Sequence, residues 1–504
     1  MSAAACGGGV SSVSLFGEVL QLHAGIILLF ALGLALAFEF VNGFHDTANA
    51  VATVIYTHSL KPMQAVVWSG LWNLIGVLTS SGAVAFGVVS LLPVELVLNV
   101  GSAAGFAMVF SLLTSAMVWN LGTWYFGLPA SSSHALIGSI LGVGLANSVF
   151  AHSRVFGEGV NWGQAYEVFA SLLISPVLGF GLAALLLVLL KRLIKRPEMF
   201  RSAEPGKAPP FWVRATLLGT CTGVSFAHGS NDGQKGMGLI MLILIGVLPA
   251  AFALNLQAPA ADLQELRAAS QALDQALGDT AADSAEEARG TLSAFVRSTD
   301  RPASTTRPAL RAVNAEVLAQ LTGRGTFTEV PREARATLRR DLYLIEQSVT
   351  KLGLLGQFAE PAKEAVRKRY EAALRPATRF IPWWVKLAVA VALGLGTMIG
   401  WKRIVVTVGE KIGKQHLSYA QGASAEIVAM VTIGAADAFG LPVSTTHVLS
   451  SGVAGTMFAN RSGVNMGTLR SLLLAWVLTL PVCVFIGAGL FALGLNIIAA
   501  AGTR

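Results

Sequence analysis

Long apolar blocks, separated by short polar segments, run along most of the chain. Gly25–Phe40, Gly105–Leu121, Ala170–Leu190, Val385–Gly400 and Leu469–Leu493 carry at most one charged residue each. A helix needs about 20 such residues to cross a bilayer. The pattern therefore predicts an all-α polytopic membrane protein. Two stretches break it. Lys191–Arg214 is dense in Lys and Arg (Lys191, Arg192, Lys195, Arg196, Arg201, Lys207, Arg214) and, as a short basic loop, belongs in the cytoplasm. Gln257–Phe380 is rich in Ala, Glu, Arg and Leu, with amphipathic helical runs at Pro331–Lys351 and Pro361–Leu374, and reads as a soluble helical insertion. The expected organisation is an N-terminal tail (1–23), a first membrane unit (24–190), a basic linker (191–213), and a second membrane unit (214–256 and 381–496) split by the insertion (257–380), then a C-terminal tail (497–504).

Composition sharpens this picture. Of 504 residues, 54% are hydrophobic and 13% charged, where a soluble chain carries about a quarter charged. The net charge of +8 is no nucleic-acid signal, because the basic residues cluster in short loops where they orient the helices. The 3 cysteines, Cys6, Cys221 and Cys483, are too scattered for a metal cluster or a disulfide framework. The first 23 residues lack Lys and Arg, so Gly25–Phe40 is expected to be a retained helix with an outside N-terminus.

The two membrane units share motifs. Gly127-Leu128-Pro129-Ala130-Ser131-Ser132-Ser133-His134 recurs as Gly440-Leu441-Pro442-Val443-Ser444-Thr445-Thr446-His447, and Gly43-Phe44-His45-Asp46-Thr47-Ala48-Asn49 is matched by Gly229-Ser230-Asn231-Asp232-Gly233-Gln234-Lys235. The loop before the third helix has Glu95 and no basic residue in the first unit (Leu92–Ser102). In the second (Trp401–His416) it has Lys402, Arg403, Lys411 and Lys414. Equivalent loops of opposite charge bias predict an inverted-topology repeat, with about five crossings per copy, re-entrant or broken helices at the hydroxyl motifs, and the insertion on the periplasmic side.

The motifs carry chemistry. Asp46 and Asp232 sit within apolar surroundings, where a carboxylate is costly unless it is paired or lines a wet cavity. Asn49, Asn231, Thr47 and Ser230 surround them with oxygen ligands suited to hard cations. His45, with an unperturbed pKa of about 6.5, can exchange a proton. Lys235 is a counter-charge for a carboxylate or an anion. The alternative is a structural ion pair between packed helices. Pro129 and Pro442 favour a helix's first turn, placing Ser131-Ser132-Ser133 and Ser444-Thr445-Thr446 at helix starts. Unpaired N–H groups, the dipole and the hydroxyls there make a cradle for a tetrahedral oxyanion. The plainer reading makes these hydroxyls N-caps and interhelical glue. His134 and His447 are expected to support the turns.

At these residues the chain resembles the Pit family of inorganic phosphate transporters, most of all its bacterial low-affinity branch. The resemblance rests on the segments 43–53 and 227–236 and the two Leu-Pro-x-Ser-Ser/Thr-Ser/Thr-His motifs, and covers both membrane units. It implies symport of inorganic phosphate with protons across the bacterial cytoplasmic (inner) membrane, with the anion carried free or as a neutral complex with a divalent metal. It also implies that substrate and cation sites lie at Asp46, Asn49, Asn231, Asp232 and Gln234, with Gln234 on the phosphate side, and at Ser131, Ser132, Ser133, Ser444, Thr445 and Thr446. Sodium-coupled members have Asn before the first Asp. His45 stands there instead, which favours protons, with sodium as the alternative. No prosthetic cofactor, fixed metal or nucleic acid is expected. The partners are phosphate and the lipid bilayer, and a homodimer is compatible with the pattern. A sulfate permease on the same scaffold is the nearest competing function. A membrane enzyme acting on phosphate esters lacks a paired nucleophile or phosphate loop in the sequence, and a phosphate sensor without flux is a third class.

Overall fold

The structure is a computed structural model. It describes residues 3–4, 12–46, 48–92, 100–150, 156–203, 206, 208–278, 284–298 and 301–502, with the backbone alone at 3, 4, 46, 48 and 49. The chain is nearly all helical. The first part contains α1 (Leu22–Asp46), α2 (Ala48–Tyr56), α3 (Pro62–Thr79), α4 (Ala83–Val89), α5 (Ala103–Tyr125), α6 (Ser132–Phe150) and α7 (Trp162–Leu193). Beyond the basic linker come α8 (Phe211–Val247) and the short α9 (Pro249–Phe252). Next are α10 (Ala260–Leu277), α11 (Ala285–Arg297), α12 (Thr306–Leu321), α13 (Arg332–Leu354) and α14 (Pro361–Thr378). The last group is α15 (Trp383–Met398), α16 (Lys402–Val406) with a π turn over Thr407–Lys411, α17 (Tyr419–Ala438), α18 (Thr445–Asn460) and α19 (Met466–Gly502).

Among the described residues, 5 helical stretches are long and apolar enough to cross a membrane, and up to 7 if each of two sharply bent helix pairs is one span. The bent pairs are α3–α4 and α14–α15, both turning by 77°. Helix α8 lies outside that count. It is 37 residues long but carries Asp232 and Lys235 together with His228, Ser230, Asn231 and Gln234 in its middle.

One element departs from the all-α expectation. The segment expected to be a tail forms a three-stranded antiparallel sheet, β1 (Ala3–Ala4), β2 (Ser12–Leu15) and β3 (Glu18–Gln21), in that order. Val13 pairs with Leu20 and Ser12 with Gln21. The two-residue turn Phe16-Gly17 has both φ values positive, 51° and 79°, as a tight hairpin matched to strand twist requires. The Phe16 ring packs 5.0 Å from Phe252 and 5.9 Å from Trp384, and Glu18 accepts a hydrogen bond from the Ala251 N–H (3.0 Å).

Helix packing is matched between the two parts of the chain. α3 lies on α8 and α1 on α15, α18 lies on α7 and α6 on α19, and α17 on α8 corresponds to α1 on α5. The long helices α7 and α19 each contain a proline, Pro176 and Pro481. The closest crossings depend on glycine. A methyl group on Gly229 would lie 2.2 Å from the Asn73 carbonyl oxygen, and one on Gly76 would lie 2.2 Å from that of Phe226. The matching crossing of α1 with α15 is as tight at Gly43 and Gly396. Without a hydrophobic drive between helices in lipid, such backbone approach supplies the packing energy.

Residues 254–377 enclose an apolar core of their own, built on Leu263, Leu266, Leu310, Leu342, Ile345 and Tyr370. Arginines of α13 fasten it where the chain leaves and rejoins the membrane helices. Arg335 Nη1 donates to the Ala250 carbonyl (2.6 Å) and Arg339 Nη1 to that of Thr378 (2.5 Å).

The α3–α8 crossing yields a test. Gly76→Val is expected to lower the thermal midpoint of purified protein sharply, an overpacking cost of about 1–3 kcal/mol or more. Gly181→Ala, where the added methyl meets nothing within 4 Å, should melt like the parent when both are followed by fluorescence-detected size exclusion.

Candidate substrate and coupling site

The two hydroxyl motifs fold identically, and local chemistry explains why. Each follows a helix closed by a glycine in the left-handed region, Gly127 (φ 66°) and Gly440 (φ 69°), a conformation that glycine adopts without strain. The N–H of Leu128 bonds to the Thr123 carbonyl and that of Leu441 to the Ala436 carbonyl, both at 2.9 Å. Proline then prevents continuation, and a new helix begins. Ser131 Oγ accepts from the His134 N–H (3.2 Å), and Ser444 Oγ from the His447 N–H (3.1 Å). The N-cap reading thus holds for the first hydroxyl of each triplet.

The first turn is gripped by the second part of the chain. Thr407 Oγ1 donates to the Gly127 carbonyl (2.7 Å), and Trp476 Nε1 donates to that of Pro129 (2.9 Å). The helix starts themselves meet. Ser133 Oγ donates to the Val443 carbonyl at 2.9 Å, and the His134 and His447 rings lie 4.7 Å apart. Ser131, Ser132, Ser133, Ser444, Thr445 and Thr446 are all buried.

The second acidic motif lies in the middle of the unbroken helix α8. Asn231 Nδ2 donates to the Leu441 carbonyl (3.1 Å), joining this motif to the second hydroxyl turn. Asp232 and Lys235 are fully buried. Their carboxylate and ammonium form an ion pair at 2.7 Å, and Asp232 Oδ1 has no hydrogen-bond partner. His228 also approaches Asp232, with Nε2 at 3.5 Å, and its Nδ1–H donates to Asn73 Oδ1 (2.6 Å). Lys235 therefore serves here as the counter-charge of a carboxylate. Gln234 bonds to protein groups on both sides of its amide. Its Oε1 accepts from the Val84 N–H (2.9 Å) at the start of α4, and its Nε2 donates to Asp437 Oδ1 (2.6 Å).

The first acidic motif lies at the end of α1 and the start of α2. His45 is fully buried and shares a hydrogen bond with Thr123 Oγ1 at 3.0 Å. The side chains of Asp46 and Asn49, and the whole of Thr47, lie outside the described residues.

Buried polar atoms without a hydrogen-bond partner are rare in native folds and call for an explanation. Within the paired motifs, Asn231 Oδ1, Asp232 Oδ1 and Thr445 Oγ1 are such atoms, and others lie elsewhere in the chain. Among the described residues no group of three His, Cys, Asp or Glu is placed to hold a metal ion.

Several polar residues outside the motifs also emerge. Glu39 in α1 is fully buried beside Gly236, where a methyl group would sit 2.3 Å from Glu39 Cγ. Glu426 in α17 is fully buried, with the Thr53 and Thr220 hydroxyls donating to its two oxygens. Asp437 accepts from Ser230 Oγ (2.6 Å) as well as from Gln234. Each is an acid within or at the end of an apolar block, a signal present in the sequence.

A family described as the phosphate transporter family matches residues 42–487. The chain belongs to the phosphate transporter family. It is 42% identical to the low-affinity inorganic phosphate transporter PitA of Escherichia coli (strain K12), over 95% of this chain and 98% of that one. It is 40% identical to PitB of the same organism, over 95% and 99%. A probable low-affinity inorganic phosphate transporter of Bacillus subtilis (strain 168) is 28% identical over 90% and 93%. A solved structure called the sodium-dependent phosphate transporter shares the fold with a TM-score of 0.51 at 19% identity, covering 94% of this chain and 100% of that one. This family member is a multi-pass membrane protein whose curated relatives are named as transporters, not enzymes.

The hydroxyl chemistry separates structural from open positions. Ser444→Ala removes an N-cap and is expected to cost about 1 kcal/mol of stability. Thr445→Val removes a buried hydroxyl that bonds nothing, and should leave thermal stability unchanged or raise it. Melting of the two variants side by side checks this.

Proposed function

We propose that this chain is a secondary transporter that carries inorganic phosphate across a bacterial cytoplasmic membrane in symport with protons. The observation that supports the reading most is the meeting of two capped hydroxyl helix starts beside Asn231, Asp232 and Lys235, with polar atoms of both left unbonded. Helix starts offer N–H groups and hydroxyls to an oxyanion without a full counter-charge. Thr445, Ser132 and Thr446 are the substrate donors in this reading, and Ser131 and Ser444 shape the turns.

Coupling follows from electrostatics. Asp46 and Asp232 repel a phosphate oxyanion unless each is neutralised. Lys235 offsets one carboxylate. A proton taken up at His45 or Asp46 offsets the other, so the loaded cation favours the loaded anion. His45 supplies nitrogen where an oxygen ligand would suit sodium, and this favours the proton. Phosphate accompanied by a divalent metal is a variant of the same scheme, since the metal cancels the anion's charge.

In this reading residues 24–190 and 214–496 are two oppositely oriented copies of one unit. The exchange-matched packings of α3 with α8 and α1 with α15 support it, as does the common form of the two turns. The turns act as re-entrant tips, and rocking of one copy against the other exposes the site to alternate sides. The insertion, 257–380, stands in water on the periplasmic side.

The test is uptake of labelled phosphate into proteoliposomes with separately imposed proton, sodium and magnesium gradients. A proton gradient alone should drive uptake, and a sodium gradient alone should not. Asp46→Asn and Asp232→Asn should each reduce it by at least about tenfold. Thr445→Val should also lose uptake while its melting stays unchanged, which excludes misfolding as the cause. Sodium-driven uptake at zero pH gradient would overturn the proton assignment. Excess sulfate that suppresses phosphate uptake would favour a sulfate permease.

A further inference from the structure

A second place on the molecule has the chemistry of an anion site and lies outside the paired motifs. Where the end of α5 meets α16, a cavity of about 600 Å3 opens to the surface. Its walls are Trp124 and Tyr125 from α5 and Trp401 from the facing loop, and Lys402, Arg403 and Lys411 project into its lining. The aromatic side is rigid, because Trp124 Nε1 donates to the Gly400 carbonyl at 2.7 Å. Arg403 is held in place by the same wall. Its guanidinium stands 5.0 Å from both the Trp124 and the Tyr125 ring, and Nη1 donates to the Tyr125 carbonyl at 2.5 Å.

Charge here is not neutralised. Among the described residues, neither Lys402, Arg403 nor Lys411 has a carboxylate within ion-pair distance. The nearest acid in sequence, Glu410, is engaged by the Tyr56 hydroxyl at 2.8 Å. Basic residues that merely orient helices need only be exposed on one side of the membrane. These three instead converge on one concave aromatic surface, and Arg403 has given up conformational freedom to lie there. A planar guanidinium fixed on aromatic faces presents its remaining N–H groups in a geometry suited to phosphate oxygens. The corresponding corner of the other part of the chain lacks this character. Asp437 matches Trp124 in the repeat, and α4, which matches α16, is the uncharged run Ala83–Val89. Among the described residues, the cationic cavity is therefore found at the α5–α16 corner and not at α4.

We propose that this cavity is a binding site for a phosphate group, with Arg403, Lys402 and Lys411 supplying charge and Trp124 and Tyr125 the walls. Two sources carry that chemistry. One is free inorganic phosphate on the cytoplasmic side of the transport site, since Gly127 lines the cavity and begins the turn that ends at Ser131. The other is the headgroup of an anionic phospholipid at the membrane surface. Only the first source rests on the transport reading above.

Residue-resolved lysine acetylation of the full chain in nanodiscs, read by mass spectrometry, tests the site. One arm uses phosphatidylcholine alone with or without inorganic phosphate, at constant ionic strength set with chloride. The other uses phosphatidylcholine containing phosphatidylglycerol and no added phosphate. Labelling at Lys402 and Lys411 should slow by about fivefold in at least one arm, the size of a modest charge interaction, while exposed Lys195 on the basic linker is unaffected. Arg403→Lys should keep the protection and Arg403→Gln should lose it. If Arg403→Gln does not fold, Lys402→Gln and Lys411→Gln replace it, each expected to halve protection or more at the remaining lysine. Equal labelling in all conditions, or equal protection at Lys195, would overturn the proposal. Thr445→Val, which disables the transport site in our reading, should retain the protection, so a failure of one assignment is separable from a failure of the other.

Discussion

Polar groups inside a membrane protein must find their partners within the protein. The chain nevertheless encloses Glu39, Asp232, Lys235, Glu426 and two starts of helices rich in hydroxyls. Much of the architecture is explained by what satisfies these groups and by what leaves a few of them open. Glu426 is taken up by two threonine hydroxyls and Gln234 by the first amides of α4 and by Asp437. Ser131 and Ser444 are spent on their own helices. Among the motif residues, Asn231 Oδ1, Asp232 Oδ1 and Thr445 Oγ1 are buried oxygens left without a hydrogen bond. Buried polar atoms of this kind are tolerable where something polar comes to them.

The two parts of the chain share geometry and diverge in chemistry. Ser230 and Asp437 form a hydrogen bond where their counterparts, Phe44 and Trp124, pack ring against ring at 5.1 Å. In the first acidic motif His45 bonds the Thr123 hydroxyl, whereas in the second Asp232 pairs with Lys235. The same asymmetry concentrates basic side chains at the α5–α16 corner and leaves the α4 corner neutral.

Much of this was legible in the sequence, and what was missed has identifiable causes. Apolar block length and the two duplicated motifs are long-range patterns that tertiary context does not alter, so the helical membrane fold and the juxtaposed serine and threonine turns follow from them. Glu39 and Glu426 escaped because each stands alone in an apolar run and gains meaning only through residues far away in sequence, Gly236 for one and Thr53 and Thr220 for the other. The role of Gln234 depends on α4, a short helix whose start is fixed by the bend after Thr79. The N-terminal hairpin had a readable alternation in Ser12–Leu15 and Glu18–Gln21, but the absence of charge made the segment look like a tail. Its Phe16 side chain packs on Phe252 and Trp384, a contact only the folded chain brings about.

The central claim is that the two hydroxyl helix starts and the second acidic motif together form one oxyanion pocket. An electron cryomicroscopy structure of the protein in lipid, determined with and without saturating inorganic phosphate at acidic pH, tests it most directly. The account predicts tetrahedral density in the phosphate sample within hydrogen-bonding reach of Thr445 Oγ1 and beside Asn231. Density for phosphate elsewhere, with Thr445 and Asp232 packed dry in both samples, would contradict it.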